Sequence, residues 1–136
     1  MDERIKEFIH SQKLLTLSVL DNDGGVYCAS CYYVFDEKKL ALIFASEEHT
    51  KHIQLAYKNP KIAINITLDT NIINLIKGVQ IKAKFTKATK KQGELYYQKF
   101  PFAKLAKASI FASNIQWLKY TDNKILLSKK LEFFIK

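Results

Sequence analysis

The stretch that most constrains this chain is residues 75–88, where Val79, Ile81, Ala83 and Phe85 alternate with Gln80, Lys82 and Lys84. A period of two sends the apolar set to one face and the polar set to the other. That is the signature of an antiparallel strand with one buried and one wet face.

Shorter strands surround it. Residues 14–20 (LLTLSVL), 26–35, 40–45, 61–68 (KIAINITL) and 115–121 (IQWLKYT) all read as extended, and residues 126–134 as a weaker strand or tail. The DNDGG run at 21–25 is a hairpin turn, because Asn, Asp and Gly tolerate positive φ; residues 36–39 make another turn, and 69–74 a loop. Helices are expected over residues 2–12 (Ile5, Phe8 and Ile9 on one stripe), 49–58 (Ile53 and Leu55–Ala56 inward, stopped by Asn59-Pro60) and 90–100. Pro101 interrupts the last, and a second short helix runs to about Ala108. Five or six strands at short spacing, with few Pro and Gly, argue for a mainly β chain built as a small antiparallel barrel.

The length, 136 residues, suits one domain over 1–136, and 48% hydrophobic with 26% charged residues is a globular composition. No apolar run approaches the ~20 residues of a membrane span. The start, MDERIKEFIH, is acidic and amphipathic, unlike a secretory signal. The expectation is a cytoplasmic protein with reduced thiols. A net charge of +9 raises nucleic acid as a partner, but the only arginine is Arg4 and the lysines never run longer than two. Bidentate contacts to guanine or phosphate favour Arg, so a solvated lysine-rich surface is the simpler reading.

Chemistry concentrates in residues 40–55, LALIFASEEHTKHIQL. A strand runs into Ser46, and a helix opens with Thr50, Lys51 and His52 in its first turn. The first N–H groups of a helix lack partners and the macrodipole favours negative charge there, so this layout suits a phosphate. The alternative is an ordinary surface helix capped by Ser46. Glu47 and Glu48 would have to point away from an anion. Cys28-Ala29-Ser30-Cys31 is a C-x-x-C inside a strand, where i and i+3 face opposite ways, so both thiols read as ordinary small buried-type residues rather than a redox pair or metal site. His49 and His52 lack an evident third ligand, and no metal site is expected. Gln80 offers a donor and an acceptor if it faces a groove. Trp117 and Tyr120 could stack on a planar ligand or fill the core.

Taken in order, the segment 15–20, the DNDGG turn, CASCYYVFD, LALIFAS, T-K-H, KNPKIAI, GVQIKAK, KFPFAK and KYTDN resemble the pyridoxamine 5′-phosphate oxidase-like family of FMN-binding split barrels, across residues 2–121. The resemblance implies an antiparallel six-stranded split β-barrel of Greek-key type, a homodimer, and FMN at the subunit interface. It places Thr50-Lys51-His52 at the family's Ser/Thr-Arg-Lys phosphate grip, and Ala45 and Ser46 against the phosphate and ribityl chain. Gln80 and the strand carrying Ser30, Cys31 and Tyr32 fall on the isoalloxazine, and KFPFAK, with Phe100 or Phe102, falls on the partner's cleft. The implied activity is an FMN-dependent oxidoreductase. Because the family's vitamin-B6 oxidases use C-terminal arginines and this chain has none after Arg4, pyridoxamine phosphate is not the expected substrate. The absence of a histidine after His52 likewise disfavours haem handling. The alternatives are a non-enzymatic flavin carrier or sensor, and a basic barrel stacking single-stranded nucleic acid on Tyr32, Tyr33, Phe100 or Trp117.

Overall fold

The computed structural model describes residues 1–123 and 129–135. Its elements run α1 (Glu3–Ser11), β1 (Leu14–Leu20), β2 (Val26–Asp36), β3 (Ala41–Ser46), α2 (Lys51–Lys58), β4 (Lys61–Thr67), β5 (Lys77–Lys87), α3 (Lys90–Lys99), β6 (Ser109–Asp122) and β7 (Lys129–Phe134). Single 3₁₀ segments occupy Ile73–Leu75 and Pro101–Leu105.

The strands lie in the order β3-β2-β1-β4-β5-β6, and β3 also pairs with β6, so six antiparallel strands close into a barrel. Strands β1, β2 and β3 follow one another through tight turns, while β4 returns beside β1, which makes the arrangement a Greek key. Strand β6 closes the ring with its first half, from Ser46↔Ser109 to Ala41↔Asn114, and carries β7 along its second half. Among the described residues, no helix is long and apolar enough to cross a membrane.

Alternation decides which side chains enter the barrel. Ile62, Ile64 and Ile66 of β4 and Val79, Ile81, Ala83 and Phe85 of β5 are buried, and the residues between them face water. Burying each large aliphatic or aromatic side chain contributes roughly 1.5–3 kcal/mol. Ile5, Phe8 and Ile9 of α1 and Ile53, Leu55 and Ala56 of α2 join the same core. Helix α3 packs on the outside, where Tyr96 meets Val34, Ala41, Ile43 and Ala112 in a second cluster. This covering explains why β3 reads as an unbroken apolar run: Ala41 to Phe44 are buried on both faces.

Three details depart from the sequence reading, and the weak terminal strand is borne out where it is described. Strand β6 begins at Ser109, well before residue 115, because its small residues fit against β3. Leu40 lies in the turn before β3, at φ 51°, a left-handed conformation uncommon for a bulky residue. Its carbonyl is fixed by the amide of Ile115 at 2.9 Å. Cys28 is exposed, while Cys31 is buried. Of the expected strand at 126–134, residues 129–134 pair with β6 and 126–128 lie outside the described residues.

Candidate functional site

Strand β3 ends at Ser46, and the chain turns into α2 through Thr50, its N-cap residue. The Thr50 hydroxyl donates to the Glu47 carbonyl at 2.9 Å, and the Thr50 amide reaches the same oxygen at 3.2 Å. The hydroxyl is therefore turned away from the helix, and the first turn of α2 has no side-chain cap. Its leading amides keep their capacity to bind an acceptor. Ser46 does not cap the helix either. Its Oγ lies 2.8 Å from His52 Nε2 and 3.4 Å from Thr50 Oγ1. His52 is half-buried, and burial holds its imidazole below the usual value, so the ring is neutral at pH 7. Glu48 is drawn off along the helix, where its carboxylate accepts from the Tyr57 hydroxyl at 2.9 Å.

Lys51 does not join this cluster. Its ammonium pairs with Asp21 of the β1–β2 hairpin at 2.9 Å and sits 4.6 Å over the Tyr27 ring. Hydrogen bonding to Lys51, then to the Asn22 amide, holds the Asp21 carboxyl below the usual range.

The β2 residues divide by parity. Cys31 points into the core, and burial pushes its thiol up to about 11. Ser30 and Tyr32 point outward, and the Tyr32 ring meets Phe100 at 5.7 Å. Ala45 is half-buried and packs with the α3 cluster, where the Tyr96 phenol bonds to its backbone; burial pushes that phenol up to about 12. Tyr33 is fully buried, with its hydroxyl on the Ile9 carbonyl at 2.6 Å, and cannot stack on a base.

Gln80 is exposed on β5 and lines a groove of about 310 Å³ with Asn65, Thr67, Gly78 and Lys119. Gly78 is required there, since a Cβ would come within 2.7 Å of the Ile66 carbonyl. The pairing register runs Ser30↔Thr16, Thr16↔Asn65, Asn65↔Gln80 and Gln80↔Lys119. Directly paired residues share a face, so these side chains form one outward polar row. Three interstrand steps separate Ser30 from Gln80, about 14 Å.

Thus the fold gathers Ser46, Thr50 and His52 at the start of α2 and sets Ser30 and Gln80 on one row. It turns Cys31 inward, places Ala45 beneath α3 and holds Lys51 on Asp21. Sequence reasoning missed Thr16 and Asn65, the members that link Ser30 to Gln80. Their outward parity was legible in the alternation of β1 and β4, but their alignment depends on register. Tyr96 was also missed, although the helical spacing of Gln92 and Tyr96 marks the buried side of α3.

The fold is the split barrel. One solved neighbour is a protein of Clostridium acetobutylicum related to general stress protein 26, of the pyridoxinephosphate oxidase family (TM-score 0.72, 14% identity, 99% of this chain and 97% of that one). Another is an FAD-binding protein of Mesorhizobium loti (TM-score 0.71, 14% identity, 85% and 88%). A third is a haem-binding protein of Mycobacterium smegmatis (TM-score 0.77, 12% identity), where the match takes in 91% of this chain and about half, 53%, of the other. No protein-family model matches the chain. It nevertheless belongs to the UPF0306 family, being 53% identical to a UPF0306 protein of Campylobacter jejuni over all of both chains.

Proposed function

We propose that this UPF0306 protein binds FMN and acts as an oxidoreductase on a substrate other than pyridoxamine phosphate. The observation that carries this reading is the uncapped start of α2, where the Thr50 hydroxyl lies 3.4 Å and the His52 imidazole 2.8 Å from the Ser46 hydroxyl. A phosphate monoester accepts hydrogen bonds and carries negative charge, and this donor set fits it. Ser46, Thr50 and His52 would hold the phosphate, with Lys51 supplying charge when it exchanges Asp21 for the ligand. Ser30, Tyr32 and Gln80 on the outward face would orient the ring. When bound, FMN supplies the electron or hydride transfer; the chain's part is binding and orientation.

A homodimer completes the proposal. The outer face of β1 and β2 leaves Val26 77% and Tyr32 53% exposed, an apolar surface suited to a second copy. Phe100 is occupied by Tyr32 and Tyr96 within the chain, whereas Phe102 is 85% exposed and free to meet a partner's cleft. Support also comes from the company of the fold, since one neighbour is described as FAD-binding and another belongs to the pyridoxinephosphate oxidase family.

A second reading is a flavin carrier or sensor without turnover, in which the same residues hold the cofactor and only the flavin changes oxidation state. The test of the main proposal is an absorbance spectrum of the purified protein before and after FMN addition and desalting. Retained flavin bands of perturbed shape support it, and no retained flavin at any concentration contradicts it. Oxidation of NAD(P)H by the loaded protein then separates enzyme from carrier.

A further inference from the structure

The turn from β2 to β3 and the first turns of α3 enclose a pocket of about 400 Å³ that shares no residue with the α2 start or the Gln80 row. Its floor is apolar: Phe35 is buried and Leu95 half-buried. Gln92 is also buried there, yet both ends of its amide are engaged. Its oxygen accepts from the Thr89 amide at 2.9 Å, and its nitrogen donates to Asp36 at 3.0 Å. An apolar group can therefore enter without stranding a polar one.

The rim carries the charge. Glu37 accepts from His10 at 2.8 Å and pairs with Lys6 at 3.2 Å, so a cation outside the pocket answers it. Asp36 is held by Gln92 and by the Lys39 amide at 3.3 Å. Lys38, Lys39 and Lys91 also line the pocket, and none of the three has an ion-pair partner among the described residues. Three lysines thus line a pocket with an apolar floor, opposed by the Asp36 carboxylate, and none of the four has an ion-pair partner among the described residues.

We propose that this pocket binds a small amphipathic anion, with a carboxylate or phosphate head among Lys38, Lys39 and Lys91 and an apolar tail on Phe35 and Leu95. Its volume lies toward the lower end of the ~300–1,000 Å³ seen for small-molecule sites, which selects a short tail or a single ring system. Lys38 and Lys39 sit on the β2–β3 turn, and it is the packing of α3 on that turn that brings Lys91 to them. The proposal stands whether or not the chain binds flavin.

The test is an amide-resolved NMR titration of the full chain with decanoate below its micellar range, and with decanol as a neutral ligand of the same tail. The expected result is saturable shifts at Phe35, Gln92 and Leu95, with decanoate binding roughly tenfold or more tightly than decanol. The triple variant Lys38→Ala, Lys39→Ala, Lys91→Ala should weaken decanoate by a similar factor and leave decanol unchanged. These lysines are exposed, so the variant's dispersed spectrum reports that it folds. Decanoate and decanol binding alike, decanoate unaffected by the triple variant, or shifts confined to other regions would each overturn the assignment.

Discussion

Helices α2 and α3 both open with Thr-Lys, yet their first turns are built differently. At α3, Thr89 accepts from the Gln92 amide at 3.1 Å while the Gln92 side chain accepts from the Thr89 amide, a closed capping box. At α2 the residue three positions on is Ile53, which is buried in the core and has nothing to return. Thr50 instead turns its hydroxyl to Glu47, and the first turn stays open. A threonine at the N-cap thus does not by itself close a helix; the residue three positions later decides whether the box forms. The closed start serves stability, and the open one leaves donors available to a ligand.

That contrast can be broken at either helix. The largest effect is expected from the double variant Ser46→Ala, Thr50→Ala. It should weaken FMN binding by more than about tenfold, since each lost charge-assisted hydrogen bond is worth on the order of 1.5–3 kcal/mol. Flavin fluorescence quenching measures this, and unchanged affinity would place the phosphate elsewhere. Next, Thr89→Ala should cost about 1 kcal/mol of folding stability in urea denaturation while FMN affinity holds. Loss of FMN binding in this variant would mean that the two starts are not separate in function. Smaller still, Thr50→Ala alone should shift the stability of the flavin-free protein by no more than about 0.5 kcal/mol, because no cap is lost.

Protonation sharpens the comparison further, because His52 belongs to the open start only. Burial lowers its pKa from 6.5, so below that value the unfolded chain binds more protons than the folded one. This contribution to stability is complete above pH 6.5 and is lost as the pH falls toward the lowered folded value. FMN affinity should move the opposite way over the same window, since a protonated imidazole attracts phosphate. His52→Gln should flatten both profiles, and parallel rather than opposite trends would remove His52 from the phosphate site. Asp21→Asn, which frees Lys51 from its ion pair, should raise FMN affinity modestly and more so at low salt.

Much of the architecture was legible because period-two alternation carries face as well as element. Strand β1 matches its expected span at both ends, and the buried set of β5 is the one the alternation names. The start of β6 was hidden because Ala112 and Ser113 are small residues whose burial comes from their neighbours in β3 and β5 and, for Ala112, from α3. The site was legible as chemistry but not as geometry. The hydroxyls and the imidazole were identifiable from residue types near a helix start. That Ser46 turns to His52, that Lys51 leaves for Asp21 and that Cys31 faces inward depend on side-chain rotamers, a distant hairpin and strand parity.

The most direct test of the central claim, that the open start of α2 reads a phosphate, is a paired titration of the flavin-free protein with FMN and riboflavin, which differ only in that group. FMN should bind roughly tenfold or more tightly than riboflavin, the value of one charge-assisted contact. Equal affinities for the two flavins would contradict it.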